Sequence, residues 1–313
     1  MLFLNIQKSR DIGPSKKKIN INSETQDTAI LARKLNLTSL LKLPRYIRRL
    51  TIVPDDVLHI FPFAAVKHEE RYLIESYALN IAYQTVKPKP QPSSPSPSTH
   101  EALLVGVSQG GEQFLPLPGV KRELESIYTQ LCQQRSNPQV LLDSAADKET
   151  VLSRLESTSL LHIACHGIFQ HDRAEQSGLV LAPQKLPPDI LSLREIANLD
   201  LARLQHITLS ACSSADHLVL PGRWVISLPE TLWRAGAHSI LGNLWQVYDQ
   251  FAIAFMSKFY EYLQTMPRDE ALQKTQLDCL HQRISMDRGI DVSNPEYWSG
   301  FNLYGEFGHW KGE

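Results

Sequence analysis

Cysteine is scarce in this chain. Its 313 residues hold four, Cys132, Cys165, Cys212 and Cys279, far apart and with no CxxC spacing. That pattern excludes a disulfide scaffold and a zinc ribbon, and it fits a reducing compartment. Long apolar runs are absent too: no stretch approaches the roughly 18 residues that a membrane-spanning helix needs. The N-terminal MLFLNIQKSRD meets charge too early for a secretory signal. Excess charge of either sign is also lacking. Lys plus Arg number 32 against 33 Asp plus Glu, a net charge of −1, so neither nucleic acid nor a membrane surface is implied as a partner. The small basic group Arg45, Arg48 and Arg49 reads as a solvated face. No GxGxxG turn or Walker A loop occurs. With 42% hydrophobic and 21% charged residues, the expectation is a soluble, cytoplasmic globular protein.

Proline marks the clearest boundary. Residues 87–100 open with KPKPQPSSPSPST, five prolines in thirteen residues, which favours extended, solvated backbone and excludes a central strand. It reads as a spacer, with a docking or cleavable loop as the functional alternative. Before it, residues 1–35 are polar and weakly patterned, a tail or the remnant of an upstream region. Residues 36–86 form a strand-rich part: LTIVP and VLHIFPFAAV are apolar β-prone runs broken at Pro54 and Pro62, and RYLIESYALNIAY alternates as one or two strands.

In residues 101–313 the rhythm becomes strand, helix, strand, helix. ALLVGV, VLLD, LLHIA, GLVLA, HITLSA and HSILGNLW read as strands, and a closing strand falls near WSGFNLYG. VKRELESIYTQLC places Leu124, Ile127, Tyr128 and Leu131 at helical spacing, and DQFAIAFMSKFYEYLQT does the same with Ala252, Phe255, Met256, Phe259 and Leu263. Ser192 with Glu195 and Ser227 with Glu230 have capping-box spacing, and Gly236 is placed to end a helix. The pattern predicts an α/β fold with a mostly parallel sheet flanked by helices on both faces.

Reactive groups in such sheets collect at the carboxyl ends of strands. The turn Gly106–Gly111 reads as a plain loop, with a nucleotide site as a distant alternative. LLHIA runs into Cys165-His166-Gly167 and HITLSA into Cys212-Ser213-Ser214. A thiol attacks only as thiolate, and a neighbouring imidazole can take its proton and return it to a leaving amine. Parallel neighbouring strands would bring Cys212 and His166 together, and the N–H groups of Gly167 and Cys212 could face an oxyanion. Strand-end placement alone leaves the pair open, since a buried Cys is commonly a small core hydrophobe.

The motifs narrow this. His162-Ile-Ala-Cys-His166-Gly167 resembles the H-x-A-x-H-G motif of CHAT domains, caspase-related proteases of bacteria in the clan of caspases and separase. Leu209-Ser-Ala-Cys212 resembles their L-S-A-C motif. In the family's order follow Ile52-Val-Pro-Asp with Phe61-Pro-Phe63, Leu117-Pro-Gly119 with Glu123, and Ser177-Gly-Leu-Val-Leu181. Arg234-Ala-Gly-Ala237, Asn243-Leu-Trp245 with Val247 and Asp249, and Tyr297-Trp298 with Phe301 complete the set.

The resemblance implies a caspase-like fold with His166 as base, Cys212 as nucleophile and the Gly167 and Cys212 N–H groups as oxyanion hole. It implies a substrate pocket from Trp245, Gln246, Val247, Tyr248 and Asp249, no metal or other cofactor, a protein substrate and a regulatory protein or sensor module. Asp249 either pairs with a basic substrate residue or caps the next helix. His162 and Cys165 are expected in supporting roles, and His217 is a rival base. After the cysteine the family commonly has Glu-Thr and a glycine-rich stretch, where this chain has Ser213-Ser214 and then Leu220-Pro-Gly-Arg-Trp224. The leading expectation is thus a regulated cysteine endopeptidase, and the alternative is a catalytically silent scaffold for interaction or signalling.

Overall fold

The computed structural model describes residues 2–6, 32–44, 46–68, 70–83, 101–110, 113–133, 137–168, 170, 173–182, 188–211, 217–220, 224–286 and 290–310. The Pro-rich segment 87–100 and residues 212–216, Cys212 among them, lie outside these.

Short β-branched and leucine-rich runs form the strands. They are β1 (Leu2–Ile6), β2 (Arg49–Pro54), β3 (Lys67–His68), β4 (Arg71–Tyr72), β5 (Ala78–Ile81), β6 (Ala102–Gly106), β7 (Gln139–Leu142) and β8 (Leu160–Ile168). After these come β9 (Gly178–Ala182), β10 (Asp189–Ser192), β11 (His206–Ala211), β12 (His217–Leu220), β13 (Trp224–Ser227), β14 (Ser239–Asn243) and β15 (Phe301–Gly305). The helices are α1 (Gly119–Gln133), α2 (Lys148–Leu155), α3 (Leu193–Ile196), α4 (Leu228–Arg234), α5 (Asp249–Leu263), α6 (Arg268–Leu280) and α7 (Pro295–Trp298).

The main sheet runs β1-β2-β5-β15-β14-β11-β8-β6-β7, with β9 paired antiparallel to the last residues of β8 and β10 paired to β9. Two parallel blocks meet antiparallel at β14 and β15. Helices cover both faces: α1, α5 and α6 form one packed layer, and α3 packs on α4. The fold is α/β with a mostly parallel sheet, as the strand–helix rhythm predicts.

Two local expectations change. VLHIFPFAAV forms 3-10 turns at Asp56–Ile60 and Phe63–Ala65 instead of strands, and Leu73–Glu75 makes a third between β4 and β5. Tyr128 leaves the apolar stripe of α1 and is 42% exposed, whereas Leu124, Ile127 and Leu131 are buried. Gly236 does end α4, at φ 115, a left-handed conformation that glycine adopts at little cost.

The capping box at Ser192 is complete: its Oγ accepts from Glu195 N–H, and its own N–H donates to Glu195 Oε2 at 2.9 Å. Lys148 Nζ adds a contact of 2.8 Å to Glu195 Oε1. Burial alone would push the Glu195 carboxyl up, but Lys148 and Ser192 outweigh it and hold it at about 2. A carboxyl held below its ordinary 4.5 contributes stability that is present above that pH and lost as pH falls toward 2. Lys148→Met is expected to cost up to about 1 kcal/mol at pH 7. That cost should fade between pH 4.5 and 2, which urea melts at pH 7 and pH 3 will check.

Candidate active site

β8 and β11 run parallel in register from Leu160 opposite His206 to Cys165 opposite Ala211. Side chains alternate across a strand. On β8 and β11, His162, His206 and Thr208 turn to the face covered by α5, where they meet Tyr260 and Phe259. His166 shares that parity. The described part of β11 ends one residue short of Cys212, whose roles as nucleophile and oxyanion donor therefore fall outside the described residues.

His166 is half-buried, and its Nε2 lies 2.7 Å from the Leu115 carbonyl oxygen. A carbonyl only accepts, so Nε2 carries the hydrogen and donates it. In the neutral ring the basic lone pair is then on Nδ1. The Phe114 ring stands 5.3 Å from the imidazole, tilted by 30°. Leu115 has no side-chain signature for this role, and only its backbone takes part. Gly167 follows in the stretch of β8 paired with β9. Cys165 is buried, with its thiol directed at the His166 carbonyl at 3.4 Å. His217 opens β12, opposite Ser227 of β13.

Beside these strand ends lies a cleft between α1 and α5, lined by Glu123, Cys165, Ser210, Gln246, Val247 and Asp249 among others. Two carboxylates and no Lys or Arg are among its described lining residues. Asp249 does cap a helix, but not its own: Tyr248 is the N-cap of α5, and Asp249 Oδ2 accepts from Gly119 N–H, the first residue of α1, at 2.6 Å. Burial pushes the Asp249 carboxyl up, the Gly119 N–H opposes this, and the neighbouring charge of Glu123 adds to it.

Glu123, which no motif reading had placed in a site, is 2% exposed. Its Oε1 lies 3.1 Å from His162 Nε2, though out of hydrogen-bond alignment. Behind it a buried polar chain crosses the sheet, from His162 Nδ1 to Tyr260 OH (3.2 Å), Thr208 Oγ1 (3.0 Å), His206 Nε2 (3.1 Å) and, from His206 Nδ1, Ser239 Oγ (2.7 Å). Burial, with Arg268 and His162 nearby, keeps the His206 ring well below its ordinary pKa and so neutral.

Of the five expected pocket residues, the structure brings Gln246, Val247 and Asp249 to the cleft. The Trp245 indole instead donates to the Glu296 carbonyl at 2.8 Å. Tyr248 is 69% exposed, beside the Tyr297 ring. Among the described residues, no three His, Cys, Asp or Glu side chains converge as a metal site, and no helix is long and apolar enough to cross a membrane.

The sequence profile of the CHAT domain matches residues 28–306. The chain belongs to the CHAT domain family. By fold, this CHAT domain is similar to separase of Saccharomyces cerevisiae in its complex with securin, at TM-score 0.55 and 14% identity over 83% of this chain and 16% of the separase. It is also similar to the Arg-specific cysteine proteinase gingipain R, at TM-score 0.60 and 11% identity over 92% of this chain and 68% of that one. A complex of the pro- and mature domains of the Porphyromonas gingivalis enzyme matches at TM-score 0.58 and 10% identity, over 92% of this chain and 69% of that one. No curated protein matches by sequence. The neighbours place the CHAT domain in the caspase-like fold of cysteine peptidases, and it spans only a small part of the separase.

Proposed function

We propose that this CHAT domain is a cysteine endopeptidase that cuts a protein partner through a Cys212–His166 dyad. The observation that carries the reading is the Leu115 carbonyl on His166 Nε2, which leaves Nδ1 as the ring's proton acceptor. The parallel pairing of β8 with β11, in register up to Cys165 opposite Ala211 and with adjacent strands about 4.8 Å apart, supports pairing the residue that follows each end.

In this reading His166 Nδ1 takes the Cys212 proton and the thiolate attacks the scissile carbonyl. The Gly167 and Cys212 N–H groups hold the oxyanion, and His166 returns the proton to the leaving amine. A thioester remains, and water activated by the same imidazole hydrolyses it. No step calls for a metal. A regulatory protein or an upstream module is proposed to control the site. The silent-scaffold alternative draws on Ser213-Ser214 standing where the family has Glu-Thr.

The cleft beside the dyad is proposed to take the side chain preceding the scissile bond, through Gln246, Val247 and Asp249, with Trp245 and Tyr248 framing its mouth. Burial and Glu123 both raise the Asp249 carboxyl, and a bound cation would relieve both effects. That supports a preference for Arg or Lys. A peptide library is expected to show cleavage after basic residues, and Asp249→Asn should lower kcat/KM for them by about 10- to 100-fold, on the order of one charged hydrogen bond. Cleavage after acidic residues, or equal loss for neutral and basic peptides, would count against the assignment of the cleft.

A further inference from the structure

We propose that Asp143 is a positioning residue for His166, acting through the loop that carries Leu115. The inference rests on the reading of His166 as the base. Asp143 follows β7 directly and is buried, with φ at 52. A non-glycine residue in the left-handed region persists where its surroundings over-determine it, and such positions cluster at functional sites.

What holds Asp143 is the backbone that follows the neighbouring strand β6. Its Oδ1 accepts from Ser108 N–H at 2.7 Å, Ser108 Oγ at 2.8 Å and Gln109 N–H at 3.1 Å, and its Oδ2 lies 2.9 Å from Ser108 Oγ. Lys121 Nζ stands 3.7 Å from Oδ2. Hydrogen bonds to a buried carboxylate are short and directional, so Asp143 fixes where the backbone goes after β6.

That backbone is the first flank of the Leu115 loop. The Ser108 carbonyl accepts from Leu117 N–H at 2.9 Å, which closes the loop at its base. Gly110 lies so close to the second flank that a Cβ there would stand 2.2 Å from the Phe114 carbonyl oxygen and 2.9 Å from Leu115 C. Asp143 thus holds Ser108 and Gln109, Ser108 and Gly110 hold 114–117, and that flank presents the Leu115 carbonyl and the Phe114 ring to His166. The product of this clamp is one imidazole tautomer.

The test is the ring ¹⁵N spectrum of His166 in histidine-labelled protein, assigned by His166→Gln, together with kcat and KM on a cleaved peptide. The full chain is expected to show the Nε2–H tautomer. Asp143→Ala and Gly110→Ala should each move the ring toward a mixture of tautomers and lower kcat about 10- to 100-fold, with KM within about threefold. Asp143→Asn keeps acceptor oxygen and should lie between them and the wild type. Leu79→Ala, a core truncation in the other block of the sheet, serves as a control matched for loss of melting temperature and should leave the tautomer alone.

If Asp143→Ala does not fold, Gly110→Ala and Asp143→Asn still decide. An unchanged tautomer in these variants, or an equal shift in the control, overturns the proposal. If no peptide is cut by any form, the peptidase reading fails, while the tautomer still reports on Asp143.

Discussion

Cys212→Ala is expected to abolish peptide cleavage, lowering kcat/KM by at least about 10³-fold, and His166→Ala should do nearly the same. Neither change should unfold the chain, because His166 is half-buried at a strand end and its side chain hydrogen-bonds to the Leu115 carbonyl. The double variant should lose no more than the worse single one, since a nucleophile and its base act as one unit. A cysteine thiol cannot attack without a proton acceptor, and in this scheme that acceptor is the His166 imidazole. Progress curves on the preferred peptide, with enzyme in excess for the variants, measure the effect. A multiplicative loss in the double variant would mean that the two residues work independently.

The second large effect concerns stability. Phe255 of α5 is fully buried and stacks on Phe301 of β15, with ring centroids 3.9 Å apart and planes 12° from parallel. Phe255→Ala removes the ring and leaves a cavity, and such truncations cost about 3–5 kcal/mol. The loss should reach the site as well, because Phe301, Met256 and Asp249 all line the cleft. A urea midpoint far below that of the wild type, with KM for basic peptides raised more than kcat is lowered, is the expected outcome. A change under about 1 kcal/mol would show that α5 repacks without this contact.

Much of the fold was legible because its signals are local. β8, β11 and β14 are apolar runs that must be buried on both faces, and α1 and α5 carry an apolar stripe at helical period. The run from Val57 to Val66 misled because aromatic and β-branched residues suit strands, while Pro62 and tight turn geometry bend this stretch into 3-10 turns. Tyr128 misled because its position borders the stripe and its hydroxyl is content in water. The antiparallel junction of β14 with β15 has no local signature at all.

The site divides in the same way. His166 follows an apolar strand and a motif, so it was visible as a candidate. Asp249 was visible as an acid, but its bond to Gly119 joins residues 130 positions apart. Glu123 stood among the family motifs, yet only the packing of α1 against α5 turns it into a cleft residue. The Leu115 carbonyl could not be read from any side chain, because every residue carries a carbonyl.

One measurement tests the central claim most directly: labelling of the full chain with a thiol-reactive peptide warhead ending in Arg, followed by mass mapping of the modified residue. It should be run alone and with candidate activating partners. The account predicts modification at Cys212, abolished by His166→Ala and slowed by Asp249→Asn, with Cys132, Cys165 and Cys279 unlabelled. Modification spread over the other cysteines, or an unreactive Cys212 under every condition, would contradict it and leave the scaffold reading in its place.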